Sequence, residues 1–196
     1  MKKIYCIIGK SSSGKDTIAK AIFRNSEIKM MTPCTTRPMR AEESELDPYH
    51  FIENNQVDAE MIAKTVYKRI DGVFYYGFVN EELDKRYDYL AVTNPSQIHD
   101  IYKKYNDSFE IVVIYIETEE EERIIHAIER EESNDKNYEE LCRRIKADAY
   151  DFSDNNDDFV DVFRCVDKVI HVYNDYNMTP DKIALELLNS LEMEEK

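Results

Sequence analysis

A glycine-bounded loop near the start of the chain carries the residue types that bind nucleotide phosphates. It follows an apolar run, opens a helical pattern, and reads Gly9-Lys10-Ser11-Ser12-Ser13-Gly14-Lys15-Asp16-Thr17. A strand, a loop and a helix in this order are the context that a phosphate loop of the form G-x-x-x-x-G-K-[ST] requires. The glycines let N–H groups point at one anion, and the helix N-terminus adds the positive end of its dipole. Since Lys15 can also reach outer phosphates, we expect a nucleotide-phosphate site here.

One position departs from this pattern, because Asp16 stands where a Ser or Thr normally ligates Mg²⁺. A carboxylate is also a hard oxygen ligand, so Asp16 can take the metal directly or hold one of its waters. Thr17, the next residue, offers a hydroxyl for the same task. Alternatively, Asp16 only favours the positive N-terminus of the helix. Asp16 and Thr17 are therefore the candidate metal ligands.

The composition of the chain favours one globular domain that acts on small molecules. At 196 residues with 42% hydrophobic content, the chain can build one core with inserted lobes. A net charge of −15 argues against binding to nucleic acid or to an anionic membrane surface. The scattered cysteines indicate free thiols in a reducing compartment, and no apolar run is long enough for a membrane span or a signal peptide. We therefore expect a cytoplasmic enzyme, and the sequence leaves its oligomeric state open.

Four short apolar runs indicate buried parallel strands that alternate with helical patterns. The runs are residues 4–8, 89–93, 110–116 and 168–173. Such alternation predicts βαβ units, and therefore an α/β fold with a mostly parallel sheet and helices on its faces. Thr118 and Glu121 form a capping-box pattern, which predicts the start of a further helix.

Two intervals do not fit simple crossovers between strands. Residues 32–87 hold two Pro-containing loop stretches, weak amphipathic pieces and the cluster Phe74-Tyr75-Tyr76. Residues 127–156 are nearly all charged or polar. In an α/β fold with a phosphate loop, insertions at strand ends lie over the site and often act as mobile covers. We expect both intervals to lie over the phosphate loop.

A second stretch combines two arginines with a loop, which suits the binding of a terminal phosphate. It reads Thr35-Thr36-Arg37-Pro38-Met39-Arg40-Ala41-Glu42-Glu43 and is followed by Tyr49-His50-Phe51. Arg37 and Arg40 lie in a Pro-interrupted loop, so a helical salt-bridge face explains them poorly. Two guanidinium groups can hold one phosphate through bidentate hydrogen bonds, and the Tyr49 phenol adds a donor. The alternative is two solvated surface arginines near a turn.

Together these motifs resemble those of guanylate kinases. The run T-T-R-P-x-R-x-x-E followed by Y-x-F is similar to the substrate-phosphate loop of that family, which also places a G-x-x-x-x-G-K loop after its first strand. The segment Gly72-Val73-Phe74-Tyr75-Tyr76-Gly77 resembles the family's G-x-Y-Y-G segment with one extra residue. Residues 167–175 resemble the family's final strand and its Asn-Asp turn, with a slight insertion. The resemblance therefore spans most of the chain.

The resemblance implies a three-layer P-loop kinase fold that transfers a phosphoryl group from ATP, with Mg²⁺, to a nucleoside monophosphate (NMP). It implies one domain over residues 1–196, with a core at 1–31, 88–126 and 157–196, an NMP-binding lobe at 32–87 and a lid at 127–156. ATP would be bound by Gly9, Ser11, Ser12, Ser13, Gly14, Lys15, Asp16, Thr17 and Asn174, the last near the adenine. The acceptor would be bound by Arg37, Arg40, Glu43, Tyr49 and Tyr76. The catalytic groups would be Lys15, Arg37, the lid residue Arg130, and Arg144, which has Arg143 beside it.

The chain departs from the family where guanylate kinases read the base of the acceptor. They read guanine with a Glu shortly before the G-x-Y-Y-G turn and an Asp on the following strand, whereas residues 63–69 and 90–94 contain no acid here. Phe78 also replaces the Ser or Thr that normally follows the turn glycine. A site built on hydrogen bonds to a base edge rejects analogues strongly. Loss of both carboxylates is therefore expected to change or abolish the preference for guanine.

Two other functions stay open at this point. Ribose-bisphosphate phosphokinases share the fold and resemble this chain in having Asp directly after the loop Lys, although the arginine loop fits guanylate kinases better. Guanylate kinase-like domains of scaffold proteins are non-catalytic binding modules. Those domains generally have a damaged phosphate loop, whereas Gly9, Gly14 and Lys15 are all present here.

Overall fold

The computed structural model describes residues 1–39, 49–69, 71–133 and 136–194. Its centre is a parallel β-sheet. The strands are β1 (Lys2–Ile8), β2 (Lys29–Met30), β3 (Pro33–Thr35), β4 (His50–Phe51), β5 (Met61–Arg69), β6 (Gly72–Val79), β7 (Tyr89–Val92), β8 (Phe109–Glu117) and β9 (Lys168–Tyr173). The helices are α1 (Lys15–Arg24), α2 (Val57–Glu60), α3 (Pro95–Tyr105), α4 (Glu120–Ser133), α5 (Tyr138–Asp151), α6 (Asp157–Cys165) and α7 (Pro180–Glu194), with a 3-10 turn at Asn54–Gln56.

The central sheet has the strand order β2-β7-β1-β8-β9, and each neighbouring pair is parallel. Residues 4–8 of β1 are all buried, as a parallel sheet that is covered on both faces requires. Helices α1 and α7 pack on one face of the sheet, and α3 and α6 pack on the other. The predicted α/β fold with three layers is confirmed.

All four strands predicted from apolar runs lie in this central sheet. The sequence did not predict β2, because a strand of two residues shows no periodicity. The predicted capping box at Thr118 is wrong. Helix α4 begins at Glu120, and the Thr118 hydroxyl instead donates a hydrogen bond to the carbonyl of Ser13 in the phosphate loop.

A second sheet is built within residues 33–79 and has the strand order β4-β3-β6-β5. Strands β5 and β6 form an antiparallel hairpin, and β3 pairs antiparallel with β6. A bulge between Ile62 and Thr65 interrupts the pairing of β5, where Ala63 adopts a φ of 50°. The sequence predicted only loops and weak amphipathic pieces here, since most side chains of β5 and β6 are partly exposed and give no clean alternation.

Helices α4 and α5 pack against each other and are joined by two ion pairs. Arg123, near the start of α4, binds Asp148 near the end of α5. Glu131, near the other end of α4, binds Arg144 in the middle of α5. None of the helices in the described ranges is long and apolar enough to cross a membrane.

Candidate functional site

The phosphate loop, residues 9–15, leaves the end of β1 and leads directly into α1, as predicted. Gly14 adopts a φ of 85°, a left-handed conformation that L side chains rarely adopt. A Cβ atom on Gly14 would lie 2.5 Å from Nδ2 of Asn174, and one on Gly9 would lie 2.7 Å from the carbonyl oxygen of Ile116. Both glycines are therefore required for the close packing of the loop, Gly9 against the end of β8 and Gly14 against the residue that follows β9.

Side chains from outside the loop bind the carbonyl oxygens of Ser12 and Ser13. The hydroxyl of Tyr176 donates to the Ser12 carbonyl. The Ser13 carbonyl accepts from Nδ2 of Asn174 at 3.0 Å and from the Thr118 hydroxyl at 3.2 Å. No peptide bond in the described residues is cis. The Ser13 N–H is used within the loop, since it donates to the Lys10 carbonyl at 3.1 Å. Because a trans peptide holds its C=O and N–H on opposite sides, the Gly14 N–H, which follows the Ser13 carbonyl, points away from these donors, where an anion can accept from it.

Ser11 is bound through all of its polar groups by two residues of α4 and α5. Its N–H and its hydroxyl donate to the Asp148 carboxylate, at 2.9 and 3.1 Å. Nη1 of Arg123 donates both to the Ser11 carbonyl and to Asp148, each at 3.1 Å. The Arg123 side chain is only 2% exposed. Arg123 and Asp148 therefore form a buried ion pair that encloses one residue of the phosphate loop.

The remaining polar groups of the loop fit a bound phosphate. The hydroxyls of Ser12 and Ser13 are buried and have no hydrogen-bond partner within the described residues. Buried hydroxyls are normally satisfied, so these unpartnered groups leave donors for an external acceptor, and Ser12 borders a cavity beside the loop. Lys15 lines the cavity beside the loop, with Nζ 3.5 Å from a carboxylate oxygen of Asp16. Together the loop presents hydroxyls, amides and an ammonium group, which are donors suited to phosphate oxygens.

The two candidate metal ligands differ in position. Both residues are exposed, but Asp16 lines both the larger and the smaller of two cavities beside the loop, whereas Thr17 lines only the smaller one. No cluster of three or more His, Cys, Asp and Glu side chains that could hold a metal ion occurs in the described residues. A metal here would therefore take most of its ligands from phosphates and water, which is how Mg²⁺ is usually held at such sites.

The larger of these two cavities beside the loop has a volume of about 350 Å³ and lies between the phosphate loop, the second sheet and α5. It brings together predicted site residues from distant parts of the chain, namely Gly9, Ser11, Lys15, Asp16, Tyr49, Tyr76 and Arg144. Arg143, the neighbour of Arg144, also lines it. A cavity that joins a phosphate loop to a separate cationic and phenolic wall has the form of a site for two phosphorylated molecules.

The predicted acceptor residues that the structure describes lie around this cavity or next to it. Tyr49 and Tyr76 line the cavity. Arg37 is 6% exposed, and its guanidinium group lies 5.0 Å from the ring centroid of Tyr49 and 5.2 Å from that of Phe51. Nη1 of Arg37 also donates to the carbonyl of Pro38. Arg37 is thus stacked behind the cavity wall and does not line the cavity. Arg40 and Glu43 lie outside the described residues.

The predicted catalytic arginines of α5 are held by glutamates. Arg144 binds Glu131, which is 7% exposed, while its own Nε is buried without a partner in the described part of the chain. Arg143 makes two hydrogen bonds of 2.8 Å with the Glu140 carboxylate, which lowers the pKa of Glu140. Arg143 uses Nε and Nη2 on Glu140, and Arg144 uses Nη2 on Glu131, so both guanidinium groups keep further N–H donors for a phosphate.

The smaller cavity, of about 220 Å³, is bordered by Ser12, Gly14, Asp16 and Thr17. It is lined by Arg130, His126 and Tyr176 together with loop residues. The rings of His126 and Tyr176 lie 4.0 Å apart between centroids. The predicted lid arginine Arg130 and the predicted catalytic arginine Arg144 therefore line different cavities beside the loop. Asn174 is buried below the loop, where it donates to Ser13 as described above.

The end of the larger cavity away from the loop carries a mixed set of polar groups. Nδ2 of Asn94 donates to the Tyr67 hydroxyl at 2.6 Å, and Nη1 of Arg69 donates to the Tyr76 hydroxyl at 3.4 Å. Burial raises the pKa of Tyr67 to about 12, so its hydroxyl stays protonated at neutral pH. Burial and the nearby Asp148 charge raise the pKa of Asp151, which also lines the cavity.

A family model described as guanylate kinase matches residues 1–173 of the chain. The chain belongs to the guanylate kinase family. Among solved structures, the guanylate kinase from Anaplasma phagocytophilum is similar, with a TM-score of 0.57 and 18% identity, over 98% of this chain and 86% of that chain. An uncharacterized protein from Eubacterium ventriosum matches with a TM-score of 0.46 and 14% identity, over 97% of this chain and 99% of that one. No curated protein matches.

Several residues at the site of this guanylate kinase family member were missed by sequence reasoning. The sequence did indicate a place for Asp148 near the site, because Asp148 follows Arg144 by four residues and so lies on the same face of α5. Arg123 had none, since it closes an acidic run that is typical of a solvated helix start. Tyr176 lies outside the motifs of the family, and Tyr67 lies in the segment where the family carries a base-reading Glu; only the fold brings them to the loop and to the cavity.

Proposed function

We propose that this member of the guanylate kinase family is an ATP-dependent nucleoside monophosphate kinase, which transfers the γ-phosphoryl group of ATP to GMP or to a related phosphorylated acceptor. The observation that carries the proposal is the hydrogen-bonding pattern of the phosphate loop. Its carbonyls are bound from outside by Arg123, Tyr176 and Asn174, and the buried hydroxyls of Ser12 and Ser13 lack partners within the described residues. The loop is thus prepared for an anion before one binds.

Phosphoryl transfer requires alignment and positive charge more than a general base, because the acceptor phosphate is already ionised. In this proposal Lys15 and the loop amides hold the phosphates of ATP, while Tyr49 and Tyr76 bind the acceptor phosphate from the opposite wall. Arg37 supports that wall through its stacking on Tyr49. Arg144, which lines the cavity, neutralises the group in transfer with the N–H donors that do not bind Glu131.

We further propose a division of the chain into a core, an NMP-binding lobe at residues 32–87 and a lid at residues 127–156. The second sheet supports the first lobe, because its strand β6 contributes Tyr76 to the cavity and Tyr49 directly precedes its strand β4. In the lid, Arg130 faces the smaller cavity next to Thr17 and is proposed to reach ATP on closure. Asn174 is proposed to lie near the adenine of ATP, below the loop. Closure would exclude water and so limit hydrolysis of ATP.

The donor set fits Mg²⁺ held mainly by ATP. Asp16 is the better placed protein ligand, since it borders the larger cavity that Lys15 also lines, whereas Thr17 borders only the smaller one. Bound Mg²⁺ would neutralise charge on the phosphates during transfer. The cytoplasm, where Mg²⁺–ATP is abundant and thiols stay reduced, suits a chain in which all four cysteines are free.

Asp151 is our candidate for reading the acceptor base, in place of the two acids that the family normally uses. Among the carboxylates that line the larger cavity within the described residues, Asp16 is close to Lys15 and Asp148 is bound to Arg123. Asp151 has neither arrangement, and burial raises its pKa. Guanine presents N–H donors on its base-pairing edge, and a carboxylate accepts from two of them at once. Binding of guanine would therefore satisfy this half-buried acid.

The test is a coupled assay of ADP release with Mg²⁺–ATP and a panel of acceptors: GMP, dGMP, AMP, CMP, UMP, dTMP and ribose bisphosphate. We expect turnover of GMP and dGMP, and a loss of about 100-fold or more in kcat for Lys15→Ala. Lys20→Ala is the matched control, because Lys20 is exposed on the same helix and should be dispensable. If calorimetry shows no binding of ATP to the wild-type protein, transfer of a phosphoryl group from ATP to any of these acceptors is rejected.

A second candidate function is transfer to a different phosphorylated acceptor. The specific observation is the replacement of the family's two base-reading acids by groups such as Tyr67, Asn94 and Arg69 at the far end of the larger cavity. Turnover of ribose bisphosphate or of another nucleotide in the same assay would favour this candidate. ATP binding without turnover of any acceptor would instead favour a non-catalytic binding module.

A further inference from the structure

The buried pair of Arg123 and Asp148 has no counterpart in the site residues that the sequence motifs predict. Asp148 accepts three hydrogen bonds, two from Ser11 and one from Arg123. A carboxylate that accepts from a phosphate-loop amide can have one of two roles. It can compete with a phosphate for that amide, or it can fix the loop in the shape that binds phosphate through its other amides.

The burial of Arg123 decides between these roles. The side chain is 2% exposed, and Asp148 is its short-range charge partner at 3.1 Å, while Glu120 is more distant at 3.4 Å and is largely exposed. If Asp148 left to make room for ATP, a buried guanidinium would lose its main counter-ion, which is strongly unfavourable. Nε of Arg123 already lacks a partner in the described residues, so no reserve acceptor is at hand. Asp148 therefore stays in place when the loop is occupied.

The same geometry shows what a fixed Asp148 does. Arg123 binds the Ser11 carbonyl from the side opposite to the amide that follows it, and Asp148 holds the Ser11 N–H and hydroxyl. These bonds set both peptide planes of Ser11, so the amide of Ser12 is directed to the anion side. Because the pair is electrically neutral as a unit, it adds little repulsion toward ATP.

We propose that Asp148 is a positioning residue for ATP binding, which acts through Arg123 and Ser11 to hold the phosphate loop in its anion-binding shape. The inference rests on the proposed function, because it requires that the loop bind ATP. The pair of Arg123 and Asp148 also joins the loop to the start of α4 and to the end of α5, the helices that carry Arg130 and Arg144. Removal of the carboxylate should weaken ATP binding, although Asp148 itself need not touch ATP.

The test is calorimetric titration of Mg²⁺–ATP into the wild-type protein and into Asp148→Ala, Asp148→Asn and Ser11→Ala, well below their melting temperatures. We expect Asp148→Ala to raise the Kd for ATP about tenfold with the binding stoichiometry unchanged. Asp148→Asn keeps an oxygen acceptor for Ser11 and should recover part of the affinity. Ser11→Ala removes only the hydroxyl bond, leaves Arg123 paired, and should raise the Kd about two- to threefold. Glu139→Ala removes an exposed carboxylate from the same helix and is the matched control.

The outcomes separate positioning from the alternatives. A lower stoichiometry with an unchanged Kd would mean a purely structural role, and tighter ATP binding by Asp148→Ala would mean competition with phosphate; either result overturns the inference. If Asp148→Ala does not fold, an unchanged Kd in Ser11→Ala and Asp148→Asn still overturns it. Failure of the wild-type protein to bind ATP would overturn the proposed function as well. Wild-type binding that is equal in all variants would overturn this inference alone.

Discussion

Replacement of Gly14 by alanine tests the close packing beneath the phosphate loop. Gly14 has a φ of 85°, and a Cβ atom there would lie 2.5 Å from Nδ2 of Asn174, far inside van der Waals contact. The left-handed conformation alone costs a residue with a Cβ roughly 1–2 kcal/mol. Displacement of the buried Asn174 amide from the Ser13 carbonyl costs about 1–2 kcal/mol more. We therefore expect Gly14→Ala to lower the free energy of unfolding by about 2–4 kcal/mol.

The steric part of this cost can be isolated by a double-mutant cycle with Asn174→Ala. That second substitution removes the atom that the new methyl group would meet, while the Thr118 hydroxyl continues to satisfy the Ser13 carbonyl. In the double variant only the backbone strain and the lost hydrogen bond remain. The two substitutions should therefore be less than additive, with a coupling of about 1–2 kcal/mol.

The assay is urea denaturation of the four proteins, followed by far-ultraviolet circular dichroism, with thermal melting as a second measurement. For a chain of this length, Gly14→Ala should lower Tm by roughly 5–15 °C. Additive effects in the cycle would show that Asn174 does not pack against Gly14. An Ala variant as stable as the wild-type protein would also refute the left-handed conformation at this position.

Two further predictions concern carboxylates of α4 and α5. Glu131→Gln weakens the largely buried bond to Arg144 and should lower the free energy of unfolding by about 1–3 kcal/mol in urea denaturation. Glu132→Gln, at the exposed neighbouring position, should leave that free energy unchanged. Equal stability of the two variants would contradict this prediction. Burial raises the pKa of Asp151, so the ionised carboxylate is disfavoured in the folded protein. The resulting loss of stability is present above the folded pKa and fades as the pH falls through it. Asp151→Asn should therefore melt at a higher temperature than the wild-type protein at pH 8, with a difference in Tm that shrinks toward pH 4. A difference in Tm that grows on acidification would contradict a raised pKa for Asp151.

The parts of the fold that depend on local sequence could be predicted, and the parts that depend on tertiary pairing could not. The core strands are continuous apolar runs, so their positions follow from hydrophobicity alone, and the phosphate loop follows from its spacing of glycine and lysine. The hairpin of β5 and β6 has no such signal, because its faces are both partly exposed. Arg123 shows the limit most clearly: its sequence neighbours Glu120 to Glu122 indicate a solvated surface, yet Asp148 and Ser11 bury it.

The order of the strands explains why these particular residues meet at the loop. Parallel strands end at the same edge of a sheet, and the phosphate loop follows β1 in the middle of that edge. Strands β8 and β9 lie on one side of β1, so the residues that follow them, including Thr118 and Asn174, reach the carbonyls of the loop. Strand β7 lies on the other side, and Asn94, which follows it, lines the larger cavity.

This arrangement separates support of the loop from binding of the second molecule. The carbonyls of Ser12 and Ser13 are bound from the β8–β9 side, and the cavity with Tyr49 and Tyr76 opens on the β7 side. Asp148 is the exception, since it lines that cavity and yet supports the loop through Arg123, which follows β8. A change at Asp148 should therefore affect ATP binding through the loop, and a change at Asp151, one turn further along α5, should affect the acceptor.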